Sequence, residues 1–264
     1  MNTSLIKILS LTSFVFACFT TQLNSQTKIP KYVGEQLHYR MEFLNLPAGS
    51  IDFNIVAVEQ IDSSNAYHLI VNAQTNSLFS SLFRVKNKYE SFFDSSTFLP
   101  LILSKDIKQK NINHQLTINF DQNKNIASIA DSTYWSIPDL CYSFFSMLYF
   151  LRRQNFVEDD TIKFNLDSEN LPSEGTATFA NKKVISTPAG RFKAIEIKLS
   201  FKPLISVRRP WKTDLITNRM ANPNSKMKIW LSDDEYRLPL IIQFNQKRSK
   251  VKLVLKQFKL AQTN

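Results

Sequence analysis

A chain of 264 residues with 43% hydrophobic content can bury one large core, and β-rich chains of this size commonly remain single domains. Its only glycines are Gly34, Gly49, Gly175 and Gly190, too few and too scattered for the phosphate-cradling loops of nucleotide-binding folds. The formal net charge of +11 fits either a basic solvated surface or attraction to an anionic lipid or envelope surface.

Residues 1–25 read as a secretory signal: Lys7, then the apolar run Ile8–Ala17 and Cys18, too short to span a bilayer. Cleavage after Ser25 leaves residues 26–264 as a single β-rich domain. A second reading takes Val15-Phe-Ala-Cys18 as a lipobox that lipidates Cys18; a third leaves the segment as an uncleaved anchor. The expected location is the periplasm, or the outer membrane if Cys18 is lipidated. Export disfavours nucleic acid as a partner. Loss of residues 1–25 leaves Cys141 as the sole cysteine, so no internal disulfide is expected.

Strand-like alternation begins at Gln36–Phe43, and Leu46-Pro-Ala-Gly49 reads as a hairpin turn. Ile51, Phe53, Ile55 and Ala57 alternate with polar neighbours, as do Tyr67, Leu69, Val71 and Ala73 after the turn at Asp62–Asn65. Ser77–Phe83 fits a helical turn or a bulged edge. Strands are expected over Val85–Phe93, Leu99–Ile107, Ile112–Phe120 and Ile126–Ala130, separated by polar turns.

Ser136–Arg153 is the one convincing helix, predicted over about 138–153 with Ser136 as cap and Pro138 near its start. Leu140, Phe144, Phe145, Leu148 and Leu151 make a broad apolar face, and Arg152 and Arg153 suit the C-terminal dipole. At about 1.5 Å per residue this helix cannot cross a membrane and must be buried. Cys141 on it reads as a small buried hydrophobe. A catalytic thiol would want a histidine, and His38, His68 and His114 all sit in distant strand-like stretches.

Further strands are expected over Thr161–Leu166, Thr176–Phe179, Lys183–Ser186 and the run after Thr187-Pro-Ala-Gly190, a second Pro-Ala-Gly turn. Residues 202–225 read as a long basic loop. Met227–Leu231, Leu238–Phe244 and Val251–Leu260 complete the set, with a hairpin at Gln246–Ser249. No βαβ rhythm occurs, so the fold class is mainly β: an antiparallel curved sheet or partly closed barrel wrapped around one central helix, plus the cleaved signal helix.

Two constellations carry possible chemistry. Asp233, Asp234 and Arg237 could perform acid–base work, or could build a turn. Arg208, Arg209, Trp211, Lys212 and Arg219 combine guanidinium with an aromatic ring, as a phosphate or lipid-surface contact does, or as a solvated loop does. Glu35 and Tyr39 could hydrogen-bond within the core. No histidine–cysteine spacing offers three zinc ligands, and no cofactor is expected.

Ordered pieces of the chain resemble a known family: Gly34-Glu-Gln-Leu-His-Tyr39, Pro47-Ala-Gly49, Asp139-Leu140 with Leu148-Tyr149-Phe-Leu-Arg152, Thr187-Pro188-Ala-Gly190-Arg-Phe192, and Leu231-Ser-Asp233-Asp234 with Arg237-Leu-Pro239. This is similar to the bacterial exported family of domain of unknown function 3108. The resemblance implies a β-rich, barrel-like exported protein of Gram-negative bacteria, and no activity. The expectation is a monomeric, non-enzymatic envelope protein that binds an apolar ligand or an envelope partner. The alternatives are a structural protein with a filled interior, or an enzyme using Asp233, Asp234 and Arg237.

Overall fold

The structure is a computed structural model that describes residues 31–130, 133–155, 157–205, 214, 216–217, 226–246 and 249–261. The predicted signal with Cys18 lies outside the described residues, as do Arg208, Arg209, Trp211, Lys212 and Arg219.

The first half of the chain is a meander of β1 (Gln36–Phe43), β2 (Leu46–Ile61), β3 (Ser64–Thr75), β4 (Lys86–Asp94), β5 (Pro100–Gln109), β6 (Ile112–Asp121), β7 (Ile126–Ile129) and β8 (Thr133–Ser136). Between β3 and β4 the ambiguous stretch forms a short helix, α1 (Ser77–Leu82), where the Asn76 side chain caps the Phe79 N–H. The second half runs through β9 (Cys141–Tyr142), α2 (Phe144–Arg152), β10 (Thr161–Asp167), β11 (Pro172–Thr187), β12 (Gly190–Pro203), β13 (Lys226–Ser232), β14 (Pro239–Gln246) and β15 (Ser249–Lys259).

These strands make one fifteen-stranded sheet in the order β8-β7-β6-β5-β4-β3-β2-β1-β15-β14-β13-β12-β11-β10-β9. The last strand pairs with the first, Gln36 opposite Lys259, which joins the two meanders in the middle. Only the two-residue β9–β10 pairing is parallel. The sheet is curved and not closed. Its two outermost strands, β8 and β9, are consecutive in the chain. The connection between them is fastened across the gap by side chains. Gln122 accepts from the Cys141 N–H at 3.2 Å and donates to the Cys141 carbonyl at 3.0 Å. Asp139 accepts from Asn125 through its carboxylate at 2.5 Å and from Asn165 through its carbonyl at 2.7 Å.

Period-two alternation decides which face is dry. Leu37, Tyr39 and Met41 of β1 point into the core with Ile51, Phe53 and Ile55 of β2, while His38 and Arg40 face outward. Beside them, Leu253 and Leu255 of β15, paired with Met41 and Tyr39, continue the dry face, and Met227, Ile229 and Leu231 of β13 extend it. α2 packs on this inner face. Phe145 meets the rings of Phe53 and Tyr89, and Tyr149 meets Phe93 at 5.2 Å.

The helix is shorter than the predicted span of 138–153. Ser143, not Ser136, is its N-cap, in a capping box with Ser146. Leu140 adopts a positive φ of 50° and stands 65% exposed, so it leaves the apolar face on which it was placed. Cys141 belongs to β9 and Trp135 to β8, neither to the helix nor to its lead-in. A serine with a partner three residues on is a better start than one followed by a proline and a left-handed leucine.

The two Pro-Ala-Gly stretches have different fates. Pro188 and Ala189 form the predicted β11–β12 turn, with Gly190 at φ 139°. Pro47–Gly49 instead lies inside β2, and the β1–β2 turn is Leu44-Asn45, both at positive φ. Gly49 is needed for a different reason: a Cβ there would stand 2.0 Å from the Gln74 carbonyl oxygen of β3.

Candidate functional site

Inside the sheet lie two buried charge clusters and one apolar pocket. The first cluster gathers the resemblance residues at the end of the sheet where β1 begins. Arg152, fully buried, grips Glu35 with two parallel bonds of 2.7 and 2.5 Å. Its remaining donors reach the carbonyls of Arg237 and Tyr236, each at 3.1 Å. The Tyr149 hydroxyl donates to Glu35 at 3.2 Å, the Tyr39 hydroxyl donates to the Pro239 carbonyl at 2.7 Å, and the Tyr32 ring lies 4.7 Å from the guanidinium. Burial works against the Arg152 cation, but the charge and hydrogen bonds of Glu35 outweigh it and raise the pKa. Arg152, Tyr149 and Tyr39 all donate to protein partners, so the cluster ties α2 to β1 and β14.

Asp233, Asp234 and Arg237 build the adjoining turn. The Asp234 carboxylate accepts from the N–H groups of Tyr236 and Arg237 and from the Ser232 hydroxyl. Asp233 pairs with Arg237 and Lys182, both at 2.9 Å, and hydrogen bonds from those two cations lower its pKa. These carboxylates are occupied as turn residues. Cys141 is buried, which pushes its thiol pKa well up. His38 and His68 pair with Asp52 and Glu59 on outward-facing strand positions.

The second cluster was not read from the sequence. Lys105 of β5 sits on the inner face between Leu103 and Ile107, and its ammonium donates to Glu169 at 2.6 Å, Thr217 at 3.0 Å and Asp214 at 3.3 Å. All four residues are buried. The Asp214 carboxylate also accepts from Tyr89, Gln109, the Thr217 hydroxyl and the Ile216 N–H. Burial opposes the Lys105 cation, and Glu169 and Asp214 more than compensate, leaving its pKa raised. Asp214, Ile216 and Thr217 fall within the stretch 202–225 that reads as a long basic loop. Asp214 is fully buried there, and its charge is met inside the sheet.

Asp167, at the end of β10, stands beside this cluster. Burial lifts its carboxyl from 3.8 to about 7, against the lowering effect of hydrogen bonds from the Asn170 N–H and the Trp135 side chain. Because the folded pKa is the higher one, the stability linked to neutral Asp167 is complete below about 3.8 and is lost as pH climbs to about 7. Asp167→Asn removes that titration. The wild type is therefore expected to lose stability relative to this variant across the same pH window, and to hold a constant difference above it. Denaturant melts at a series of pH values check this; parallel profiles contradict it.

Ile216, held between Asp214 and Thr217, lines a pocket of about 290 Å³. Met41, Ile51, Ala73 and Val85 form its floor on the sheet, Phe244, Val251 and Leu253 its side, and Phe79, Leu82 and Phe83 of the α1 region its cover. α1 is fixed over it by the Asn76 side chain, which donates to the Pro47 carbonyl at 2.8 Å, and by Phe79 set edge-on to Phe43. The lining is almost wholly apolar, and the pocket lies at the end of the sheet opposite the Glu35–Arg152 cluster.

The profile of a family described as a protein of unknown function (DUF3108) matches residues 38–256. This chain belongs to the DUF3108 family. Among solved structures, a beta-barrel-like protein of domain of unknown function DUF1849 from Brucella abortus aligns with a TM-score of 0.59 at 6% identity, covering 88% of this DUF3108 chain and 100% of that one. That likeness shows a shared barrel-like fold. Two other structures each cover 88% of this chain, both with a TM-score of 0.35. One, at 12% identity, is described as an exported protein with a YmcC-like fold from Bacteroides fragilis. The other, at 10%, is described as a lipoprotein from Parabacteroides distasonis. No curated protein matches the sequence.

Proposed function

We propose that this DUF3108 protein is an exported, monomeric, non-enzymatic binding protein that takes a single apolar chain, of fatty-acid type, into the pocket beneath α1. The observation that carries this reading is the apolar cavity of about 290 Å³, at the small end of the about 300–1,000 Å³ typical of ligand sites. Export rests on the signal-like composition of residues 1–25. The rival reading, a structural protein with a filled core, has no use for a void lined by Met41, Ile51, Phe79 and Leu253. An enzyme built on Asp233, Asp234 and Arg237 draws no support from carboxylates committed to their own turn.

Ala73→Leu separates the readings, because Ala73 is buried and borders the pocket. In a real ligand cavity the added methylenes fill empty space. Binding of a fluorescent fatty-acid analogue is then expected to fall about tenfold or more, with melting temperature unchanged or raised. In a filled core the same change overpacks and costs about 1–3 kcal/mol. A wild-type protein that binds no analogue, together with a destabilised variant, overturns the proposal.

A further inference from the structure

Of eleven large apolar side chains exposed among the described residues, five are leucines at the pocket end of the sheet: Leu44, Leu46, Leu78, Leu82 and Leu204. Leu78 is 77% exposed and Leu82 72%. They stand one helical turn apart on α1, and Leu82 also borders the pocket that Phe79 and Phe83 cover. Leu44 and Leu46 flank the tip of the β1–β2 hairpin, and Leu44 holds a positive φ of 51° there. That conformation is uncommon for a residue other than glycine, and at a tip position nothing in the core demands a leucine.

Among the described residues, Glu42 and Asp106 near this end are paired with Arg40 and Lys108, and further cations stand there without such partners. The Leu44 N–H donates to the carbonyl of Lys250, which puts a lysine beside the hairpin tip. Exposed Arg84 follows α1, and its carbonyl accepts from the N–H of exposed Lys110 in the β5–β6 turn. Exposed Lys86 and Lys226 open β4 and β13 on the same rim. Among the described residues none of Arg84, Lys86, Lys110, Lys226 and Lys250 has an ion-pair partner, and the nearby acids Glu169 and Asp214 are buried against Lys105. The opposite end mixes signs: Asp62, Asp94, Asp121, Asp159, Asp160 and Asp233 to Glu235 stand there with Lys31, Lys124, Arg153, Arg191 and Arg237.

We infer that the pocket end docks on an anionic lipid bilayer, with Leu44, Leu46, Leu78 and Leu82 entering the interface and Arg84, Lys86, Lys110, Lys226 and Lys250 facing the headgroups. Exposed apolar side chains ringed by cations are the chemistry such a surface selects, and each cation near it strengthens attachment about fivefold. The exposed leucines and the cations without ion-pair partners stand at the same end, which fixes the orientation. Docked this way, the pocket mouth opens onto acyl chains rather than water. The inference therefore rests on the ligand reading for its purpose, although not for its test.

The test uses full-length protein, purified as its exporting host processes it, with an environment-sensitive fluorophore at Leu78→Cys. Buried Cys141 stays unlabelled. A second preparation carries the label at exposed Ser63→Cys, in the β2–β3 turn at the far end. Phosphatidylglycerol vesicles are expected to blue-shift the label at position 78 and leave that at 63 unchanged. Pure phosphatidylcholine should have far less effect, and salt should reverse the shift. Arg84→Ala with Lys110→Ala is expected to weaken the response about 25-fold, at about fivefold per charge. A silent label at 78, equal shifts at both ends, or equal response to neutral vesicles overturns the inference. So does a concentration-dependent shift without vesicles, which would assign the face to a second copy of the chain. Ala73→Leu leaves docking intact, so failure here and failure of the pocket reading are distinguishable.

Discussion

Replacing Arg152 with alanine is expected to destabilise the protein by about 3–5 kcal/mol, the cost of leaving one partner of a buried ion pair alone. Glu35 would be stranded, with only the Tyr149 hydroxyl still donating to its carboxylate. The carbonyls of Tyr236 and Arg237 would lose their donors as well. Arg152→Lys is expected to recover little, because one ammonium cannot reproduce two parallel bonds to Glu35 and the bonds to two carbonyls. Glu35→Gln combined with Arg152→Met should be milder than either charge deletion, since no uncompensated ion remains. Urea melts of the four variants give the comparison. A loss below about 1 kcal/mol for Arg152→Ala, the size of a surface pair, would show that this cluster does not hold α2 in place.

Lys105→Ala is expected to be at least as damaging at neutral pH, because it removes the ammonium that two buried carboxylates, Glu169 and Asp214, share. The effect should depend on acidity in a defined direction. Taking a buried cation away from two buried carboxylates makes their negative charge costlier, so the variant regains stability relative to wild type as pH falls. At the alkaline end the wild type behaves in the opposite sense. Lys105 has a raised pKa when folded, so its contribution is complete below the ordinary 10.5 and is lost only as pH rises through the higher folded value. Adding Glu169→Gln and Asp214→Asn to Lys105→Ala should flatten the acid response. Melts near pH 7 and in the acid range decide the matter. An equal deficit at both would mean that the loss is one of packing.

Most of the sheet was legible because period two survives in nearly every strand, and a chain of hairpins leaves few ways to arrange them. The helix was legible through Phe144, Phe145, Leu148 and Leu151 but not through its ends. Leu140 fits the apolar spacing, yet its backbone turns left-handed, and Ser143 is a cap that only its bond to Ser146 reveals. The Pro47-Ala-Gly49 turn was misplaced for a related reason. Glycine there signals a close strand crossing, a signal indistinguishable in one dimension from a turn. Glu35, Tyr39, Tyr149 and Arg152 were singled out, but their meeting depends on contacts more than 100 residues apart in sequence. Lys105 did leave a trace, since alternation in β5 puts it in phase with Leu103 and Ile107. Its partners Glu169 and Asp214 left none, because they sit in connections where acids are ordinary.

The seam between β8 and β9 has a consequence for the interior. A closed barrel fixes its own radius, since strand number and stagger lock the ladder all the way round. Here the circuit is completed by the side chains of Gln122, Asn125 and Asn165 rather than by a ladder. Widening the girth therefore breaks a few amide contacts at one line and leaves every paired strand intact. The thinnest part of the wall's hydrogen bonding lies along a single hem.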